Sequence, residues 1–231
     1  MGSILLLGIL LAVLPAKSPI PENPRDAVPV SNPIYVYCLV QNQWVNGQVE
    51  NLAEVELRDG RTSGPVIAAA DVEVNGHKLR FDPDTSAFRG TIGEIEQWQR
   101  IPLDIHTRDG RAITGYVAVV FLVEFVEPGP WAEVPLSLPL PVKWEYSEKS
   151  MHTVDLVVWK DDEELSSTEV RGNSTSVDFS ELRSSLEQDD VVHIQIYPPR
   201  TSNYEFEGNT TRRSKAEYVT TAVISVKIAE R

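Results

Sequence analysis

The chain carries its apolar residues in short runs separated by polar turns. Most runs alternate with period two, the pattern of a strand with one buried and one wet face. The most apolar run beyond the N-terminus lies in Gly115-Tyr-Val-Ala-Val-Val-Phe-Leu-Val-Glu-Phe-Val126, and a Glu127-Pro-Gly-Pro130 breaker follows it. Its Val and Phe content suits a buried strand. A membrane helix would need about 20 apolar residues, and Glu124 interrupts this run. The pattern therefore predicts a strand within 112–125 that closes one domain, with 127–130 as the linker to the next.

The same reading organises the remaining chain. In Ile34–Val40, the residues Val36, Cys38 and Val40 share a face, and a polar hairpin region follows at 41–47. Ala53–Leu57 alternates apolar and acidic residues. Val72 and Val74 run into Asn75-Gly76, whose positive φ angles suit a tight hairpin turn, and Leu79 and Phe81 resume the alternation. Ala87–Ile92 and Ile101–Thr107 are further strands, the latter joined through Asp109-Gly110 to the 112–125 run. The tetrapeptide Arg-Asp-Gly-Arg begins at both Arg58 and Arg108, with unlike flanks, so it is one turn chemistry used twice.

Beyond the breaker, strands are expected at 134–140, 141–146, 153–159, 164–170, 174–179, 191–197 and 218–228. Leu182 and Leu186 suggest a turn or two of helix within 180–188, and 198–215 reads as a loop. The fold class is all-β: two consecutive immunoglobulin-like β-sandwich domains, 34–126 and 131–231.

Residues 1–16 contain an unbroken apolar segment from Ile4 to Leu14 and read as a signal peptide or an uncleaved anchor. Residues 17–33 form a Pro-rich leader. Cys38 has no partner for an internal disulfide. Export with one cysteine fits a bacterial periplasm, cell surface or secreted setting. The formal net charge is -13, with 10 Lys+Arg against 15 Asp+Glu in 17–126 and 11 against 19 in 127–231. Such a surface repels phosphate backbones, which excludes nucleic acid, and it disfavours anionic membranes. Membrane contact is expected only through an uncleaved N-terminal segment.

The second half resembles a fibronectin type III or related immunoglobulin-like domain. The residues carrying the likeness are Trp144 on the second strand, and Leu186 six positions before Val192, Ile194 and Ile196. Val192 stands where that family has its corner tyrosine, and a helical turn precedes it. The resemblance implies an interaction or spacer module without shared catalytic residues.

No hydrolase, metalloprotease, phosphate-loop or dinucleotide motif occurs in the chain. His77, His106, His152 and His193 are scattered, so neither a metal site nor a cofactor is expected. Acidic turns at Asp82/Asp84, 161–164 and 187–190 raise a calcium question, but no Asp-x-Asp-x-Asp-Gly loop is present. Trp44, Trp98 and Trp131 stand in polar or turn-like contexts, where tryptophan can stack on sugars or anchor a partner. They are the candidate ligand-binding residues. The expectation is a non-catalytic, exported binding or structural module at the cell envelope, acting through protein contacts. The rival expectations are a carbohydrate-binding accessory module and an envelope hydrolase.

Overall fold

A computed structural model describes residues 32–147 and 152–229. The expected signal or anchor and most of the leader lie outside those residues. The elements are β1 (Ile34–Val45), β2 (Gln48–Asp59), β3 (Ala70–Val74), β4 (His77–Lys78), β5 (Arg80–Asp82), β6 (Ala87–Thr91), β7 (Arg100–Thr107), β8 (Ala112–Ala118), β9 (Val123–Glu127), β10 (Ala132–Pro135), β11 (Leu140–Tyr146), β12 (Thr153–Lys160), β13 (Glu163–Arg171), β14 (Ser174–Val177), β15 (Val191–Tyr197), β16 (Tyr204–Gly208) and β17 (Lys215–Ala229). One 3₁₀ turn, Phe179–Leu182, stands where a helix over 180–188 was expected, with the Asp178 carboxylate accepting from the Ser180 N–H. The fold is all-β, and its sheets are sandwich-like.

The sheets are not divided along the chain at 127–130. A nine-stranded sheet runs β13-β12-β15-β17-β1-β2-β6-β5, with β10 also on β17. Two smaller sheets, β16-β8-β7-β3-β4 and β14-β11-β9, complete the fold. One hydrophobic core gathers Val36, Cys38 and Val40 with Val55, Val74, Ile105, Ile113 and Tyr218. The other gathers Trp44 and Phe125 with Trp144, Val158, Ile194, Ile224 and Val226.

β17 serves both cores. Alternation puts Ala216 and Tyr218 into the first, and Ala222, Ile224, Val226 and Ile228 into the second. β1 pairs in parallel with β17 from Tyr37↔Lys215 to Val45↔Val223. β10 takes up the same parallel pairing from Ala132↔Val226. Asn46 bridges the gap between these two segments: its N–H donates to Val223 O (3.0 Å), its Oδ1 accepts from Ser225 N–H (2.7 Å), and its Nδ2 donates to Ser225 Oγ (3.0 Å). The Trp131 N–H then donates to Ser225 O at 2.7 Å. Each backbone group that lacks a strand partner finds one here, as buried polar groups must.

Three expectations change. The run within 112–125 is two strands, because the chain leaves the five-stranded sheet after Ala118 and enters the three-stranded one at Val123. The Pro-Gly-Pro breaker therefore stands inside the second sandwich, where it carries the chain from β9 in the small sheet to β10 in the large one. Proline suits that point because it cannot continue a ladder. The expected loop 198–215 contains β16, which pairs with β8 from Tyr204↔Val117 to Gly208↔Ile113. Gly115 makes that approach possible, since a Cβ there would lie 2.3 Å from Glu205 O and 2.7 Å from the Phe206 ring.

Candidate binding site

The site is built on the inner face of β1. The parity that buries Val36, Cys38 and Val40 continues to Asn42 and Trp44. Asn42 marks the boundary between the cores. Its Nδ2 donates to Asn51 Oδ1 (2.7 Å), its Oδ1 accepts from Thr220 Oγ1 (3.0 Å), and Asn51 Nδ2 donates to Gly93 O (2.8 Å). All three side chains are buried. A closed network of this kind holds a single register, since any slip would leave amides unpaired in an apolar setting.

Above this seam lies a cleft of about 300 Å³, at the small end of the range for ligand sites. Trp44, Ile95, Leu122, Val123 and the Tyr146 ring supply its apolar surface. Glu124, Glu145 and Ser147 supply the polar one. Trp44 packs on Phe125 with ring centroids 5.9 Å apart. Glu124 and Glu145 face each other in register across β9 and β11. Like charges so placed repel each other, so a cationic group arriving at this cleft would be attracted. Burial pushes the Tyr146 phenol up, with the Trp144 side chain acting in the opposite direction. Behind it, Phe121 stacks on His152 at 4.3 Å between centroids.

The three candidate tryptophans have separate situations. Trp44 is 9% exposed and belongs to the second core, with one face toward the cleft. Trp98 (64% exposed) sits before β7 and donates its N–H to Val119 O. Trp131 (55% exposed) sits between β9 and β10, beside the β1–β2 hairpin tip. Trp98 and Trp131 both hold positive φ angles, 63° and 62°. Bulky residues seldom adopt that backbone conformation, so both rings are presented on constrained bends. Neither lines the seam cleft.

Two of the acidic turns, at Asp82/Asp84 and 187–190, are internally engaged. Asp82 accepts from the Asp84 N–H and from Thr85 Oγ1, and these bonds hold its carboxyl below the usual range. Asp190 accepts from the Glu187 N–H (2.7 Å) and pairs with Lys160 (2.6 Å), while Asp189 pairs with Lys227 (2.6 Å). His106 lies 3.0 Å from Asp104, and His193 Nδ1 lies 2.9 Å from Ser225 Oγ. Among the described residues, no group of three or more His, Cys, Asp or Glu is disposed to hold a metal ion.

Sequence reasoning missed the Asn42–Asn51–Thr220 network. Its signal was present: extending the β1 alternation two steps past Val40 places Asn42 and Trp44 inward. The Gln41–Gly47 stretch reads as a polar turn only if that parity is abandoned early.

No family model matches the chain, and no curated protein matches it in sequence. Among solved structures it is similar to fibronectin(III)-like modules of Clostridium thermocellum CbhA, at 14% identity, over 84% of this chain and 95% of that one, with a TM-score of 0.25. It is also similar to the N-terminal four Ig domains of Dscam1 isoform 8.4, at 9% identity, over 83% of this chain and 44% of that one, with a TM-score of 0.24.

Proposed function

We propose that the protein is a non-catalytic, exported binding or structural module of the cell envelope that acts through protein contacts. The observation that carries this reading is the apolar tip beside the β1–β17–β10 join. Val49 (59%) is exposed on the hairpin face that carries Trp44 and lines the acid-rimmed cleft, while Val45 (39%) is exposed on the opposite face and Trp131 (55%) on the bend after β9. A large apolar side chain exposed at the rim of a cleft marks an interaction surface, and an exposed tryptophan on a constrained bend has the character of a hot spot. The acidic rim favours a partner that brings a basic or amide-bearing side chain.

The test is a photo-crosslinking amino acid placed at Val49 or Trp131 in the native host. The expected result is a discrete adduct with one envelope protein from either site, absent when the crosslinker replaces solvent-facing Arg212. Retention of the chain in the cytoplasm, or no adduct from either position, would overturn the reading.

A further inference from the structure

The outer face of the nine-stranded sheet has two unlike halves. Over the first core its polar side chains are matched to one another. The Tyr37 hydroxyl donates to Glu217 (2.8 Å), Lys215 and Arg200 pair with the same carboxylate (3.1 and 3.3 Å), Arg89 pairs with Glu54 (3.0 Å), and Arg58 pairs with Glu56. Over the second core the face opens into a groove of about 610 Å³. It crosses β13, β12, β15, β17 and β1, which are five consecutive strands. Four inter-strand spacings make it about 19 Å long.

The lining of this groove is almost entirely hydrogen-bonding. Gln41, Gln43 and Gln195 bring amides; Thr153, Thr221 and Tyr197 bring hydroxyls; Asp155 and Glu169 bring carboxylates; Arg200 brings a guanidinium that is already paired with Glu217. Gln41, Gln43, Thr153, Asp155, Glu169 and Thr221 make no side-chain hydrogen bond or ion pair with the described residues. Thr221 is 8% exposed, so its hydroxyl is unpartnered on a nearly buried side chain that lines the groove. Asp155 and Glu169 oppose each other directly across β12 and β13 with no cation between them. A face that breaks the cross-strand charge rule and leaves the Thr221 hydroxyl open to solvent, on an otherwise packed side chain and with no partner in the chain, offers its polar groups to something outside the chain.

We infer that this groove binds an uncharged polysaccharide. A protein hot spot would need a well-packed apolar centre, and here the apolar contribution is one partly covered ring, Tyr197, with Val219, Pro198 and Pro199. An anionic polymer would meet the Asp155–Glu169 pair on a chain of net charge -13. A neutral chain of sugar rings offers vicinal hydroxyls, each both donor and acceptor. Carboxylates accept from such pairs, and amides both donate and accept. The half-buried Tyr197 ring gives one C–H face a place to rest, and the length suits several linked rings. This site is distinct from the apolar tip and does not depend on the protein-contact reading.

Affinity electrophoresis of the full chain through gels containing β-glucan, xylan, mannan or dextran tests the inference, with alginate as the anionic control. The expected result is retardation by at least one neutral polymer. Gln43→Ala with Asp155→Asn should weaken it at least tenfold, and Thr221→Val should weaken it several-fold, at unchanged melting temperature. Trp131→Ala should leave it unchanged, which separates this groove from the apolar tip. Retardation by alginate alone, by no polymer, or equally in the groove variants would overturn the inference. A protein adduct from a photo-crosslinker at Gln43, with no polymer binding, would also overturn it.

Discussion

At the residue scale, burial decides what each side chain can do. Trp144 is fully buried in the second core, and its strand neighbours Lys143 and Glu145 face outward. Trp144→Ala should cost about 3–5 kcal/mol, whereas Trp131→Ala, at an exposed bend, should cost far less. Paired urea denaturation curves on the full chain check this, and equal midpoints for Trp144→Ala and wild type would contradict it. Burial also raises the Cys38 thiol to about 12, and burial with the Glu217 hydrogen bond raises the Tyr37 phenol to about 12. The folded chain therefore holds these protons more tightly than the unfolded one, where the ordinary values are about 8.5 and 10. Their stabilising contribution is complete below those ordinary values and is lost as pH rises toward the folded ones. The melting temperature should hold steady to about pH 8.5 and then fall toward pH 11. Cys38→Val should remove the earliest part of the fall, and a level profile through pH 11 would refute the argument. The alternation in Ile34–Val40 and Pro141–Tyr146 was enough to place Cys38 and Trp144 inward. The exposure of Trp98 and Trp131, and the burial of Trp44, were not legible from local polarity. They depend on which sheet each neighbouring segment joins.

At the element scale, close approach between strands is set by single residues. Gly115→Ala would drive a Cβ into Glu205 O and the Phe206 ring, which β8 and β16 can relieve only by separating. The variant should lose about 1–3 kcal/mol and show faster amide exchange over 204–208, with exchange in β12 and β13 unchanged. Unaltered exchange in β16 would show that the strand pairing tolerates the methyl. β16 itself was hidden in the sequence. Tyr204-Glu-Phe-Glu-Gly208 is a short alternating stretch set in a segment rich in Asn, Thr and Arg, and its partner β8 lies about 90 residues earlier. The division of the 112–125 run was hidden for a related reason. Val119 to Leu122 stays apolar while it crosses between sheets, with Val119 and Phe121 buried, so hydrophobicity gives no sign of the break. Hairpins such as Asn75-Gly76, by contrast, were readable because their turn chemistry is local.

At the scale of the whole molecule, the distinctive element is β17. Cut at the Pro-Gly-Pro bend, residues 131–231 would lose β9 and leave Ala216 and Tyr218 without the strands that cover them. That fragment should be partly unfolded, with poor cooperativity in circular dichroism. The full chain should melt in one calorimetric transition. Two separated transitions, or a stable cooperative fragment, would show that each core stands alone. The all-β class and the sandwich character were legible from period-two alternation. The sharing of one strand was not, because a fifteen-residue strand alternates in the same way whether it serves one core or two.

β17 also determines how the molecule would carry load. β1 and β10 lie end to end along the same edge of it, both in parallel register. A pull directed along that strand would strain many ladder bonds together, in shear, instead of opening them one by one like a zipper. The Asn46 side chain, bridging the only interruption on that edge among the described residues, would transmit tension across the joint. The two cores would then resist extension as one stiff bar, not as beads on a string.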